Sequence, residues 1–234
     1  CWRKDQWVVS LDDYDTLHSW SVAEPEKFWQ TLWDFGEVIG KWPGGKVFQH
    51  RKDMPGADWF PGSQLNFAEN LLRRRDDAPA IVFKGETNIN RVISFADLYA
   101  LVSQLVKAME RAGVGQGDRV AGFLPNLPEA IAAMLATAAL GAIWSSCSPD
   151  FGAQGVLDRF GQIRPKLVFS VDRYYYNGKS IDCRPVISEV LKNLPSARNI
   201  VLIPYDSETP QLENAFEGVA LSDFISPFKK GEIN

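Results

Sequence analysis

Histidine and cysteine are scarce in this chain of 234 residues, and the scarcity excludes several chemistries at once. Two histidines, His18 and His50, are too few for a histidine metal site. The three cysteines, Cys1, Cys147 and Cys183, are odd in number, far apart and without a C-x-x-C spacing. That excludes a zinc ribbon and a disulfide framework, and makes a reducing cytosol the simplest compartment. No G-x-S-x-G nucleophile elbow occurs. An excess of positive charge is lacking too. The 25 Lys and Arg stand against 29 Asp and Glu, a net charge of −4, so neither nucleic acid nor an anionic membrane is expected as partner. No basic region precedes an apolar stretch, so no signal peptide is expected, and the start at Cys instead of Met is expected to reflect trimming. The longest apolar run, Ala130 to Trp144, is interrupted by Gly141 and falls short of the ~20 residues that cross a bilayer. A buried helix followed by a strand accounts for it.

What is present suits a globular protein: 45% apolar and 23% charged residues, enough for one large domain or a small one with an extension. Seven of the eight tryptophans, Trp2, Trp7, Trp20, Trp29, Trp33, Trp42 and Trp59, precede Arg75. Glu24-Pro25 opens a helix on which Phe28, Trp29, Leu32, Trp33 and Phe35 recur at helical spacing. These aromatics suit a packing cap better than a ligand cage. Asn66-Phe-Ala-Glu69 reads as a helix start, with the helix running to Arg73-Arg-Arg75 at a solvated, dipole-favoured end. Residues 1–76 are therefore expected to form an N-terminal cap, and residues 77–234 an α/β unit.

Beyond Ala78 strands and helices alternate. Ala80–Phe83 and Arg91–Ile93 suggest a hairpin, and Ser94 caps a long helix ended by Gly113. Strands are expected at Arg119–Leu124, Ile143–Cys147, Leu167–Val171 and Ile200–Ile203, with helices at Pro128–Leu140, Ala153–Ile163 and Ile181–Leu194. Continuously apolar strands joined by helices indicate a parallel sheet covered on both faces. The stretch from Tyr205 onward, polar and Pro-containing, reads as a long loop. Gly113-x-Gly115-x-Gly117 follows a helix and lacks the later glycine of a dinucleotide fingerprint. Gly36 to Lys41 is one residue short of a phosphate loop, with Trp42 where Ser or Thr belongs. Spacing alone thus gives an α/β domain of unknown ligand, with the strand C-terminal ends the place to look.

Specific segments go further. Trp59-Phe-Pro-Gly-Ser-Gln-Leu-Asn66 is similar to a segment of acetyl-CoA synthetases, and Gly117-Asp-Arg-Val120, Pro128-Glu129 and Met134-Leu-Ala136 follow in the order found in adenylate-forming ligases. Leu65–Leu72, Gly141–Gly152, Val156–Ile163 and Tyr175–Lys179 resemble the acetoacetyl-CoA synthetase branch. The resemblance implies the first part of the adenylate-forming fold: a helical, Trp-rich N-terminal cap on a mainly parallel, helix-covered sheet, incomplete at its C-terminal end and packing against the remainder of its own enzyme. It implies a cytoplasmic ligase that joins acetoacetate to CoA with ATP, giving acetoacetyl-CoA, AMP and diphosphate with Mg²⁺ assisting. Two other readings stay open: a ligase for another short acid such as acetate or propionate, and a non-catalytic nucleotide- or partner-binding module.

By the same resemblance, two turns bind CoA. One aligns with Ser148, Pro149 and Asp150, the other with Tyr176, Asn177, Gly178 and Lys179. Asp150 stands where that branch has a glycine and Tyr176 where it has an arginine, so complementarity to phosphate is reduced. Ser-Pro-Asp is also a good turn and helix cap, and Asn-Gly a good turn, whatever they bind. The family's Gly-rich phosphate loop, ribose-binding aspartate, acyl pocket and catalytic lysine find no match here. No catalytic residue is assigned, and the chain alone is expected to be inactive.

Overall fold

The structure is a computed structural model and describes residues 13–49, 55–86, 89–197, 199–206 and 218–233. The expectations placed on Cys1, Trp2, Trp7 and His50 fall outside those residues. The chain divides into two compact units, Cys1–Asn66 and Phe67–Asn234.

In the first unit, α1 (Tyr14–Ala23) starts at Asp13, whose carboxylate accepts the Thr16 amide at 2.7 Å. This helix is not legible from apolar spacing, because its covered side carries Thr16 and Ser21 beside Leu17 and Trp20, while Tyr14 and Val22 are exposed. At Glu24 the chain turns into α2 (Pro25–Phe35), started by proline as expected. Strands β1 (Phe48–Gln49) and β2 (Asp58–Trp59) pair antiparallel. Their facing rings, Phe48 and Trp59, stack at 4.2 Å, and Trp29 lies 5.2 Å from Trp59. Trp33 packs 4.7 Å from Phe60, which is 5.3 Å from Trp42. The aromatics pack on one another, which small units use to gain core area.

The second unit begins with α3 (Phe67–Leu71), which ends before the arginines. Arg73–Arg75 are therefore not a helix end. Arg74 pairs with Asp76 at 2.7 Å and covers the Phe95 ring, and Arg75 lies 3.9 Å over Tyr99. Cation–aromatic contacts, with the Asp76 ion pair at Arg74, hold Arg74 and Arg75 in place of a helix dipole. The expected hairpin forms from β3 (Pro79–Lys84) and β4 (Asn90–Ser94). The Ser94 hydroxyl accepts the Asp97 amide at 3.0 Å and starts α4 (Phe95–Arg111), which buries Leu98, Val102, Leu105, Val106 and Met109. Gly113, at φ +83°, follows its end.

Next come β5 (Arg119–Phe123), α5 (Pro128–Ala139), β6 (Ile143–Cys147), α6 (Ala153–Ile163) and β7 (Leu167–Val171). A hairpin of β8 (Arg173–Tyr176) and β9 (Lys179–Asp182) follows, then α7 (Arg184–Lys192), β10 (Asn199–Ile203), β11 (Val219–Ala220) and α8 (Leu221–Ile225). Two expectations are corrected here. The helix expected over Ile181–Leu194 begins only at Arg184, because Asp182 accepts the Arg184 amide at 3.0 Å and Pro185 fits the first turn, while Ile181 belongs to β9. The tail expected as a loop from Tyr205 carries β11, paired with Val201 and Leu202, and α8, whose Phe224 packs 6.4 Å from Phe169.

The central sheet is parallel throughout, in the order β11-β10-β7-β5-β6. From β5 the chain steps to β6 on one side, then crosses to β7 on the other. Right-handed crossovers then put α5 and α6 on opposite faces, with α4 and α8 beside α5's layer and α7 beside α6. Val120, Phe123, Leu167, Phe169 and Val201 are fully buried between the layers. Past α8, residues 228–233 run antiparallel along α4, tied by their backbone. Gln104 donates to the Phe228 carbonyl at 2.8 Å and Lys107 to that of Lys229 at 3.2 Å. The Gly231 and Ile233 amides donate to the hydroxyls of Ser103 and Tyr99.

Candidate functional site

The change of direction at β5 leaves a crevice where the loops after neighbouring strands part to opposite faces, the usual ligand position in such sheets. A cleft of about 590 Å³ lies there. Leu124, Pro125 and Asn126, which follow β5, line one side, and Ser146 to Asp150, ending β6, line another. Tyr174 and Tyr176 of β8 complete the wall.

Four of the seven residues nominated from sequence, Ser148, Pro149, Asp150 and Tyr176, line this cleft. Ser148 to Phe151 is a turn, with the Phe151 amide donating to the Ser148 carbonyl at 3.4 Å. The cap of α6 is Gly152, with no side-chain hydrogen bond, so the helix-cap reading of Ser-Pro-Asp does not hold. Asp150 is exposed and brings negative charge. Burial pushes the Cys147 thiol up to about 11, with Arg159 opposing and Asp150 adding. Cys147 is thus a neutral thiol in the wall and a poor nucleophile at neutral pH. Burial also raises the Tyr174 hydroxyl, helped by Cys183, Asp150 and Tyr176, so Tyr174 remains a donor.

The other three nominated residues, Asn177, Gly178 and Lys179, do not line the cleft; they form the tip of the β8–β9 hairpin beside Tyr176. Asn177 at φ +50° and Gly178 at φ +71° make the two-residue turn whose twist matches the paired strands. The two turn amides are occupied. The Glu86 carboxylate accepts that of Asn177 at 3.3 Å and that of Gly178 at 3.0 Å. Glu86 was not nominated from sequence. It follows Gly85 at the end of β3, and no local pattern links it to a turn 91 residues on.

The foot of the hairpin is set by Asp172, whose side chain is fully buried. Its Oδ1 accepts the Arg173 amide at 2.8 Å and the Tyr205 amide at 2.9 Å, tying the ends of β7 and β10. The Asp172 carbonyl accepts the Cys183 amide, closing the hairpin that carries Tyr174 and Tyr176. Arg173 Nε lies 3.5 Å from Asp172 Oδ2 as an ion pair. Nearby, Tyr175 donates to Asp206 at 2.6 Å. Leu124–Asn126, Ser146, Cys147 and Tyr174 were also missed from sequence. Their one signal was position, at or just past the C-terminal ends of parallel strands.

Comparison with known proteins bears on these features. Residues 67–228 match the family model described as AMP-binding enzyme, and residues 14–71 that described as acetyl-coenzyme A synthetase N-terminus. The chain is 46% identical to acetoacetyl-coenzyme A synthetase of Rhizobium meliloti (strain 1021), over 99% of this chain and 35% of that protein. It is 42% identical to acetoacetyl-CoA synthetase of Macaca fascicularis, over 93% of this chain and 33% of that one. The solved structure of acetoacetyl-CoA synthetase from Streptomyces lividans superposes with a TM-score of 0.84 at 40% identity, covering 94% of this chain and 33% of that one. The chain spans about a third of the length of the curated relatives it matches. With the first model covering well over half of its residues, the chain belongs to the AMP-binding enzyme family.

Proposed function

We propose that this chain is the leading part of an acid–thiol ligase that activates acetoacetate with ATP as an acyl-adenylate and passes the acyl group to CoA. The observation that carries this reading is the 40–46% identity, over nearly the whole chain, to proteins named acetoacetyl-CoA synthetase. In this reading residues 1–76 are a cap and 77–234 the first α/β subdomain, which packs against the rest of the same cytoplasmic enzyme.

Within the chain, the cleft and the hairpin tip receive CoA. Ser148, Pro149 and Asp150 shape one wall, Tyr176 offers a ring for stacking on adenine, and Lys179 supplies a point charge for phosphate. Asn177 and Gly178 hold Lys179 at the tip. Among the described residues no group of three or more His, Cys, Asp or Glu side chains is placed to hold a metal. Nor is any helix among them long and apolar enough to cross a membrane.

The test uses the full-length protein carrying this chain. Acetoacetate-dependent AMP release with CoA present is expected. Lys179→Ala is expected to raise KM for CoA about five-fold, the scale of one exposed charge contact of about 1 kcal/mol, with kcat unchanged. AMP release that ignores acetoacetate refutes the substrate. An unmoved KM refutes the CoA position.

A further inference from the structure

The two amides at the β8–β9 tip point outward from a turn that needs neither for its own shape. Asn-Gly supplies the left-handed conformations, and four cross-strand pairs, from Arg173↔Asp182 to Tyr176↔Lys179, fix the register. Consecutive backbone N–H groups in such a turn form a seat for an anion. The seat is filled by a carboxylate of the chain itself. Each oxygen of Glu86 takes one amide, Oε1 that of Asn177 and Oε2 that of Gly178.

We propose that Glu86 is an internal competitor for an anion seat: its carboxylate stands where a phosphate group would bind, so the Asn177–Gly178 turn accepts phosphate only when Glu86 withdraws. The β3–β4 tip that carries Glu86 has an anchor of its own. At Gly85 a Cβ would come within 2.9 Å of the Tyr205 hydroxyl, so the bare backbone sits close against that oxygen. The Glu86 side chain is exposed and can swing into water while the backbone stays. Lys179, adjacent in the turn, provides the charge that distinguishes a dianion from a carboxylate. If Glu86 holds the seat about nine-tenths of the time, an incoming phosphate binds roughly ten-fold more weakly than to the open seat.

That the phosphate belongs to CoA rests on the proposed function; the seat itself does not. Full-length protein with isotope-labelled glycine is titrated with inorganic phosphate, in wild type, Glu86→Gln and Glu86→Ala. The expected result is a saturable shift of the Gly178 amide at roughly ten-fold lower phosphate in Glu86→Ala than in wild type, with Glu86→Gln between them because its amide oxygen still accepts one bond. Pantetheine, which carries no phosphate, is expected to bind all three alike. Identical phosphate titrations in all three proteins, no shift in any, or weaker binding in Glu86→Ala would each overturn the proposal; the last would make Glu86 a brace. A phosphate gain in Glu86→Ala with no matching gain for CoA leaves the seat standing and removes CoA from it.

Discussion

Replacing Asp172 by alanine removes one acceptor shared by two backbone amides at the ends of neighbouring strands. The buried side chain leaves no route for water to the Tyr205 amide, and an orphaned buried donor costs about 1–3 kcal/mol. The Arg173 amide loses the same partner, and the Arg173 guanidinium loses its ion pair, but Arg173 is partly exposed and regains some hydration. The net loss is about 2–4 kcal/mol. For a unit of this size that lowers the melting midpoint by roughly 5–15 °C. Asp172→Asn keeps a neutral acceptor for the amides but turns its amide group toward the guanidinium, so it is expected to lose about half as much. Thermal melts read the first quantity, and hydrogen exchange at the Tyr205 amide reads the local one. An Asp172→Ala midpoint within a degree or two of wild type, or unchanged exchange at Tyr205, would refute the account of how β7, β10 and the tyrosine-bearing hairpin are joined.

A Cβ at Gly122 would sit 2.7 Å from two ring carbons of Trp144, so Gly122→Ala is expected to push the indole off the sheet and destabilise by about 1–3 kcal/mol, visible as a red-shifted tryptophan emission. The Asp118 carboxyl is held below its usual range, first by the Lys166 ammonium at 2.9 Å and then by the Gly115 amide. Its contribution is complete above the ordinary aspartate range and fades as pH falls through the lowered value; Asp118→Asn is expected to flatten the acid side of a melting-temperature profile, and an unchanged slope counts against the pairing. The 234-residue chain by itself is expected to catalyse no acetoacetate-dependent ATP–diphosphate exchange, since no residue in it has been assigned a catalytic role; exchange above a heat-killed control would show otherwise.

The parallel strands were legible because burial on both faces leaves uninterrupted apolar runs such as Ile-Val-Leu-Ile, and proline and serine mark where α2, α4 and α5 begin. The β8–β9 hairpin was half legible. Asn177-Gly178 announced the turn, but Tyr-Tyr-Tyr on one arm and Lys-Ser-Ile-Asp on the other show no apolar alternation, since the neighbours Tyr174 and Tyr175 are both half-buried against the core while most of the second arm is exposed. The same weakness let Ile181 be counted into a helix. Strand β11 and helix α8 depend on pairing with β10 and contact with Phe169, neither visible locally. At the cleft, the turn after β6, Ser148 to Asp150, was found by resemblance, whereas Leu124–Asn126 needed the strand order. Glu86 needed the meeting of two hairpin tips.

The run of residues 228–233 along α4 is gripped through its peptide groups, from Tyr99, Ser103, Gln104 and Lys107, each more than 120 residues away in sequence, and the half-buried Ile233 also packs its side chain against the core. The peptide grip does not read side chains. The strap should therefore tolerate recoding at the exposed Lys229 and Lys230 by any non-proline residue, while Ile233 should need to stay apolar. The helix carries the specification instead. Tyr99→Phe or Ser103→Ala deletes a rung, and the segment beyond α8 frays although none of its own letters has changed. Variants at the exposed Lys229, Lys230 and Glu232 should come out nearly flat in stability, while single changes at the four helix positions should not.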